Sequence, residues 1–195
     1  MKSVFGVILI ILIFIMLTGC SEEGEDISDT THKTVSQESL SYSESYTDLS
    51  EQFIKGQYIG VNRSEILISE DTIFMESSEA IGFERVNIYG VRGNITVMFE
   101  DEKSKSCLFG SEAFTDKTEL SVQINTVNEK VAEALGVPVQ DFDFICNDKT
   151  LDELKGVFAG KGVLKTEYDF GTYSLTVSAI GSNGEAVITV TQLLK

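Results

Sequence analysis

Residues 173–194 read YSLTVSAIGSNGEAVITVTQLL, and this stretch decides the fold. Over residues 173–179, apolar side chains alternate with serine and threonine, which is the period of a strand with one buried face. Asn183 and Gly184 tolerate positive φ, so we expect the chain to turn back there into a second strand over residues 186–193. The stretch therefore predicts an antiparallel hairpin.

Two helices are predicted before this hairpin. Thr126 and Glu129 form a capping box in front of an apolar stripe, and Gly136 and Pro138 end that helix. A second capping box at residues 150–153 opens another helix. The predicted unit is therefore a helix, an extended link, a second helix and antiparallel strands.

A similar pattern occurs earlier in the chain, which suggests an internal repeat. Residues 69–82 align with residues 147–160 at an offset of 160 − 82 = 78, and the hairpin pattern recurs over residues 94–110. The sequence thus predicts an α+β fold of two tandem units. Each unit is a helix-loop-helix with an antiparallel sheet, and the units occupy residues 47–125 and 126–195.

The helix that ends in Leu135-Gly136-Val137-Pro138 and the strand that reads GNITVMFED at residues 93–101 resemble the beta-lactamase-inhibitor-protein-like fold. The resemblance covers most of residues 47–195, and its motifs are short and structural. It implies a tandem sheet whose exposed face grips another protein.

The N-terminus has the layout of a secretory signal peptide. Residues 4–17 are apolar apart from one glycine and follow the positive charge of Lys2. A run of this length is too short to cross a bilayer, which needs about 20 helical residues. Leu17-Thr18-Gly19-Cys20 resembles the lipobox of bacterial lipoproteins, which implies removal of residues 1–19 and lipidation of Cys20 with acyl chains such as palmitate. We therefore expect an anchor in the cell membrane, facing the extracytoplasmic side.

Residues 20–46 are rich in serine, glutamate, aspartate and threonine and show no apolar periodicity. Such a segment cannot bury enough surface to fold, so we interpret it as a disordered acidic tether. The single histidine of the chain, His32, lies in this tether. The folded region therefore lacks Ser-His and Cys-His nucleophile pairs and imidazole metal ligands.

The charge of the chain restricts its partners. The formal net charge is −16, and removal of residues 1–19 takes away one lysine and makes it −17. A charge of this sign opposes nucleic acid and anionic lipid head groups. We therefore expect a protein or another envelope component as the partner, and no nucleic acid.

The remaining reactive residues favour structural interpretations. In an exported chain a disulfide between Cys107 and Cys146 is chemically allowed. The repeat aligns both cysteines with apolar residues, which favours two buried thiols over a bridge. Asp141 and Asp143 begin a pattern with some features of a calcium loop, but Ile145 and Cys146 occupy positions that need an oxygen ligand and a glycine. We therefore expect no metal, no cofactor and no enzymatic activity.

Aromatic residues on the predicted strands are the weak candidates for a binding surface, namely Tyr89, Phe99 and Tyr173. Two functions are compatible with these patterns. The first is a lipid-anchored envelope lipoprotein with a non-catalytic domain that binds a protein or another envelope component. The alternative is an envelope hydrolase that works with carboxylates alone, which would need a carboxylate pair in a concave site.

Overall fold

The computed structural model describes residues 45–66, 73–146, 148 and 150–195. The predicted signal peptide, the lipidation site Cys20 and nearly all of the predicted tether at residues 20–46 lie outside the described residues. The described part has an α+β fold, which confirms the predicted class.

In the described ranges the chain forms nine strands, three α-helices and a short 3-10 helix at Arg63–Glu65. The helices are α1 (Ser50–Ile54), α2 (Lys117–Leu135) and α3 (Glu153–Phe158). The strands are β1 (Thr47–Asp48), β2 (Ile73–Glu76), β3 (Ala80–Ile88), β4 (Val91–Glu100), β5 (Lys103–Ser111), β6 (Asp143–Cys146), β7 (Gly162–Asp169), β8 (Tyr173–Ser182) and β9 (Glu185–Leu194).

These strands form one sheet in the order β1-β3-β4-β5-β9-β8-β7-β6, and β2 also pairs with β3. Neighbouring strands are antiparallel except for β1, which runs parallel to β3. Strands β3 to β5 form one meander and β7 to β9 form another. The two meanders join where β5 pairs with β9, from Ser106 opposite Leu193 to Gly110 opposite Thr189.

The predicted hairpin is confirmed. Strand β8 pairs with β9 from Tyr173 opposite Leu194 to Ser182 opposite Glu185. The turn residues Asn183 and Gly184 have φ values of 52° and 89°. Both residue types adopt this left-handed region at low cost, so the turn matches the twist of the two strands.

One face of the sheet carries the hydrophobic core, and we call it the core face. Helix α2 buries Leu120, Ile124, Val127 and Val131, which recur at helical spacing on one side of the helix. They belong to the same buried cluster as alternate residues of the central strands. Those strand residues include Ile95, Val97, Cys107, Phe109, Leu175, Val177, Ala179, Ile188 and Val190.

Two buried polar side chains tie the helices to the sheet. Gln192 on β9 is fully buried, and its Nε2 donates to the carbonyl of Phe53 at 2.5 Å, at the end of α1. The Tyr168 hydroxyl on β7 donates to Oδ1 of Asn128 on α2 at 2.6 Å, and Asn128 donates to the carbonyl of Gln140 at 2.8 Å. These bonds fix α1 and α2 relative to the strands beneath them.

All the described strands belong to one continuous sheet, so the structure does not show the predicted division into two tandem units. The proposed boundary between residues 125 and 126 lies inside α2, which begins at Lys117. The Asp116 carboxylate caps this helix by accepting from the backbone N–H of Glu119 at 2.7 Å. Thr126, predicted as the cap, lies within the helix and donates to the carbonyl of Val122 at 2.8 Å.

The second helix predicted for the first unit is also wrong. Residues 73–76 form strand β2, which pairs with β3. In the second unit the corresponding helix is present as α3, but its cap is Asp152, which accepts from the backbone N–H of Lys155 at 2.9 Å. The predicted cap Thr150 instead donates its hydroxyl hydrogen to Asp148 at 2.6 Å.

Candidate binding face

The side of the sheet opposite the core face is the strongest candidate for a binding surface. The buried residues of the described helices cluster with strand residues of the core face, and none of them packs on this opposite side. We call this side the open face. Its central positions follow from the strand registers and form three cross-strand rows. The rows are Met98, Ser106, Leu193 and Ser174; Thr96, Leu108, Thr191 and Thr176; and Asn94, Gly110, Thr189 and Ser178.

None of these central positions carries a charge, although 24% of the chain is charged. Hydroxyl groups dominate. Thr96, Ser178 and Thr189 are buried among their neighbours, and Ser178 and Thr189 form a hydrogen bond of 2.7 Å between β8 and β9. Charged residues appear around these positions, with Arg92 near the start of β4 and Lys165 and Glu167 on β7. An uncharged centre with a charged rim is the usual anatomy of a protein–protein interface.

Exposed apolar side chains accompany the hydroxyl groups. Leu193 is 41% exposed in the row of Met98, and Phe74 is 40% exposed. A Cβ atom added at Gly82 would lie 2.7 Å from the Phe74 ring, so this ring covers Gly82, the partner of Thr96 on the open face. Contiguous apolar patches commonly mark interaction sites, whereas single exposed apolar side chains are normal on a folded domain.

A further row of apolar residues runs along the end of the open face, and we call it the edge row. Val187 pairs with Ile180, and Val163 pairs with Ile145. Leu164 pairs with Ala179 on the core face, which brings Val163 next to Ile180. The row ends on β6 with Ile145, whose side chain is 54% exposed.

The three aromatic candidates lie on the core side and not on the open face. The guanidinium group of Arg63 stacks over the Phe99 ring at 5.0 Å. The Tyr173 ring stacks on Phe170 at 5.0 Å, and its hydroxyl donates to the carbonyl of Ile54 at 3.3 Å. All three aromatic rings pack against the hydrophobic core.

Tyr89 occupies a tight turn before β4 with a φ of 51°. Burial, with smaller contributions from the carboxylates of Glu51, Glu133 and Asp48, raises the pKa of Tyr89 to about 12. The contacts of Tyr89, Phe99 and Tyr173 are those of structural residues. Their role as partner contacts stays a prediction that these positions do not support.

The two cysteines of the described part are free. Cys107 is fully buried in the core, whereas Cys146 is half-buried at the sheet edge and donates to the carbonyl of Lys161 at 3.1 Å. Strands β9, β8 and β7 separate them. At roughly 4.8 Å per strand spacing, the two Cα atoms lie far beyond the 7 Å limit for a disulfide.

Burial of the Cys107 thiol predicts a loss of stability in alkali. Burial raises its pKa well above the ordinary value of 9.0. The pKa of this thiol is higher in the folded state than in the unfolded state. The contribution of the neutral thiol to the free energy of unfolding is therefore complete below pH 9 and is lost as the pH rises above 9. Each pH unit in this window costs about 1.4 kcal/mol for one such group. Burial also raises the pKa of Tyr58 from 10.0 to about 12, which adds a second loss above pH 10.

We expect urea midpoints to stay level up to about pH 9 and to fall above it. Cys107→Ala should begin from a lower midpoint, because it leaves a small cavity, but its decline should start a pH unit later. If the urea midpoints of the wild type and of Cys107→Ala fall equally steeply between about pH 9 and pH 10, Cys107 is not the group responsible.

Metal-binding groups and acidic side chains of the described residues bear on the alternative of a hydrolase. No group of three or more histidine, cysteine, aspartate or glutamate residues in these ranges could hold a metal ion. The pKa values of Asp148, Asp152 and Asp169 are lowered, mainly by side-chain hydrogen bonds from a neighbouring threonine or lysine. A general acid for glycoside cleavage needs a raised pKa, so these carboxyls do not favour the alternative of a hydrolase.

Within the part of the chain that the structure describes, no helix has the length and apolar character needed to cross a membrane. The chain matches no protein-family model. Searches of curated proteins and of solved structures also gave no match. The resemblance to the beta-lactamase-inhibitor-protein-like fold therefore stays a prediction.

Proposed function

We propose that the chain is a lipid-anchored lipoprotein of the cell envelope whose domain binds a partner protein through the open face. The observation that carries this proposal is the uncharged centre of that face, bordered by charged residues and interrupted by the exposed Leu193 and Phe74. The lipobox at Leu17-Thr18-Gly19-Cys20 supplies the anchor, and residues 20–46 supply the tether. The domain then acts on the extracytoplasmic side of the membrane.

A partner protein fits this face better than a second copy of the chain. Without residues 1–19 each copy carries a net charge of −17, so two copies repel each other before any contact forms. Serine and threonine hydroxyls can both donate and accept hydrogen bonds, which suits the backbone and polar groups of another protein. The binding is non-catalytic in this proposal and needs no cofactor.

A duplication of an ancestral unit of roughly 80 residues is the second part of the proposal. Its support is the spacing of the strands. Strands β7, β8 and β9 begin 82 residues after β3, β4 and β5, since 162 − 80, 173 − 91 and 185 − 103 are equal. The turn residues Asp101 and Glu102 likewise precede Asn183 and Gly184 by 82 positions, and all four have positive φ. In this view the two units share one sheet through the pairing of β5 with β9.

The open face can be tested with a double substitution, Leu108→Lys with Leu193→Lys. Two ammonium groups in the uncharged centre must lose water when a partner binds, so we expect about 100-fold weaker capture of the partner. The full-length chain, purified in mild detergent, would be used to capture proteins from solubilised envelopes. Bound proteins would be identified by mass spectrometry, and their dissociation constants would then be measured.

The matched control is Val122→Lys on α2, which packs on the core face. Val122 is 57% exposed, so this substitution adds one positive charge, half of the charge added in the double variant, at an exposed apolar position away from the open face. A protein that binds the wild type and Val122→Lys but not the double variant supports the proposal. A partner that binds all three proteins equally would place the binding surface elsewhere, provided that their thermal midpoints agree.

A further inference from the structure

Strand β6 forms one end of the sheet, and among the described residues it pairs only with β7. Its outer edge therefore presents backbone N–H and C=O groups that can pair with another strand. Edges of this kind can bind an extended segment of a second protein by strand addition.

The side chains along this edge can pack against those of a strand added outside β6. The edge row runs across Val187, Ile180 and Val163 and stops at Ile145, which is 54% exposed. A strand added outside β6 would place an apolar side chain against Ile145 and so continue the row. Cross-strand pairs of β-branched residues are among the contacts that stabilise sheets.

The charges at this edge indicate the chemistry of the added segment. Asp143 shares the open face of β6 with Ile145, two positions away, and Asp141 precedes the strand as an exposed residue. Asp148, half-buried, follows it, and hydrogen bonds from Thr150 keep its pKa low. Lys165 pairs with Asp143 from the inner side, on β7. The outer side thus offers carboxylates, which favour a basic segment and disfavour a second acidic copy of this chain.

We propose that an extended basic segment of the partner adds to the outer edge of β6, with an apolar residue against Ile145 and a lysine or arginine two positions away against Asp143. This inference deepens the proposed function and rests on it for the identity of the partner. The backbone ladder provides the affinity, and the alternation of basic and apolar residues provides the selectivity.

The probe is the labelled peptide Thr-Lys-Thr-Val-Thr-Lys-Thr with blocked termini, whose symmetric pattern fits either strand direction. Its anisotropy would be measured with the full-length chain in detergent. One control peptide carries glutamate in place of lysine. The other carries N-methyl groups on the central valine and on the threonine after it, so that an N–H donor facing β6 is lost in either ladder register. We expect both controls to bind at least about tenfold more weakly, because one reverses the charges and the other blocks the ladder.

The protein variant is Ile145→Lys, which should retain its fold because lysine is well tolerated on an edge strand. It should weaken binding of the basic peptide by at least about tenfold, whereas the equally exposed Val122→Lys should not. Equal binding of the lysine and glutamate peptides, or no effect of N-methylation, would overturn the inference. The inference would also be overturned if the wild type self-associates in sedimentation and Ile145→Lys abolishes that association. The occupant of the edge would then be a second copy of the chain.

The two proposals fail in different ways. If Ile145→Lys still captures the envelope partner while the double variant Leu108→Lys with Leu193→Lys does not, the open face is correct and the edge is not the docking site. If the wild type captures no protein but binds the basic peptide selectively, the edge recognises such segments and the open-face proposal has failed. If the wild type neither captures an envelope protein nor binds the basic peptide, both proposals are overturned.

Discussion

Gly93→Ala is expected to lower the free energy of unfolding of the domain by about 3 kcal/mol or more. Gly93 lies on β4 opposite Ser111 of β5. A Cβ atom built at this position would lie 2.1 Å from the carbonyl oxygen of Gly110 and 2.8 Å from Cα of Ser111. Both neighbours are backbone atoms at the terminal pairs of the ladder between β4 and β5, so they can move only if this end of the pairing is disrupted.

Gly110→Ala is the matched control for this prediction. Gly110 lies on the neighbouring strand, opposite Asn94, and a Cβ atom there would meet nothing within 4 Å. Alanine should therefore be neutral or slightly stabilising at that position, because glycine is the weaker strand former. Urea unfolding of the two variants measures the difference, and equal stabilities would contradict the close approach at Gly93.

Gln192→Glu should cost about 3 kcal/mol at pH 7, because it buries a negative charge. The side chain is fully buried, and its amide donates to the carbonyls of Phe53 and Ile54 at 2.5 and 3.5 Å. A carboxylate cannot donate, and it would repel both oxygens. A protonated carboxyl can donate to Phe53 much as the amide does, so the folded state raises the pKa of the new side chain above its unfolded value of about 4.3.

A raised folded-state pKa means that the stability of the variant is present below about pH 4.3 and is lost as the pH rises. We therefore expect the deficit of Gln192→Glu relative to the wild type to be small near about pH 4 and to grow toward pH 7. Gln192→Leu, which removes the hydrogen bond without adding a charge, should show a constant deficit of about 1 kcal/mol. The prediction fails if the deficit of the glutamate variant is the same at both pH values.

Local patterns predicted the hairpin of β8 and β9 well, because alternation and a turn of Asn183 and Gly184 act over a few residues. The start of α2 was missed because Thr126 and Glu129 looked like a cap. The earlier apolar residues Leu120 and Ile124 continue the same stripe toward Asp116, and this signal was available in the sequence.

The pairing of β5 with β9 could not be predicted from such patterns, because the paired residues lie about 80 positions apart and no local propensity specifies their contact. The open face depends on that pairing, since it brings Leu108 beside Thr191. The aromatic candidates were chosen by residue type alone. Phe99 lies an even number of residues from Ile95 and Val97, and Tyr173 lies two residues before Leu175. Strand alternation therefore predicts all of these side chains on the core side.

The position of β9 has a consequence for the order of folding. This strand is the last in chain order among the described strands, yet it lies at the centre of the sheet between β5 and β8. The first meander therefore keeps an uncovered edge on β5 until β9 has been synthesised and has paired with it. Non-local pairing of this kind slows folding and prolongs exposure of unpaired strands. We expect the domain to fold as one late event and to depend on protection from aggregation until its final strand has emerged.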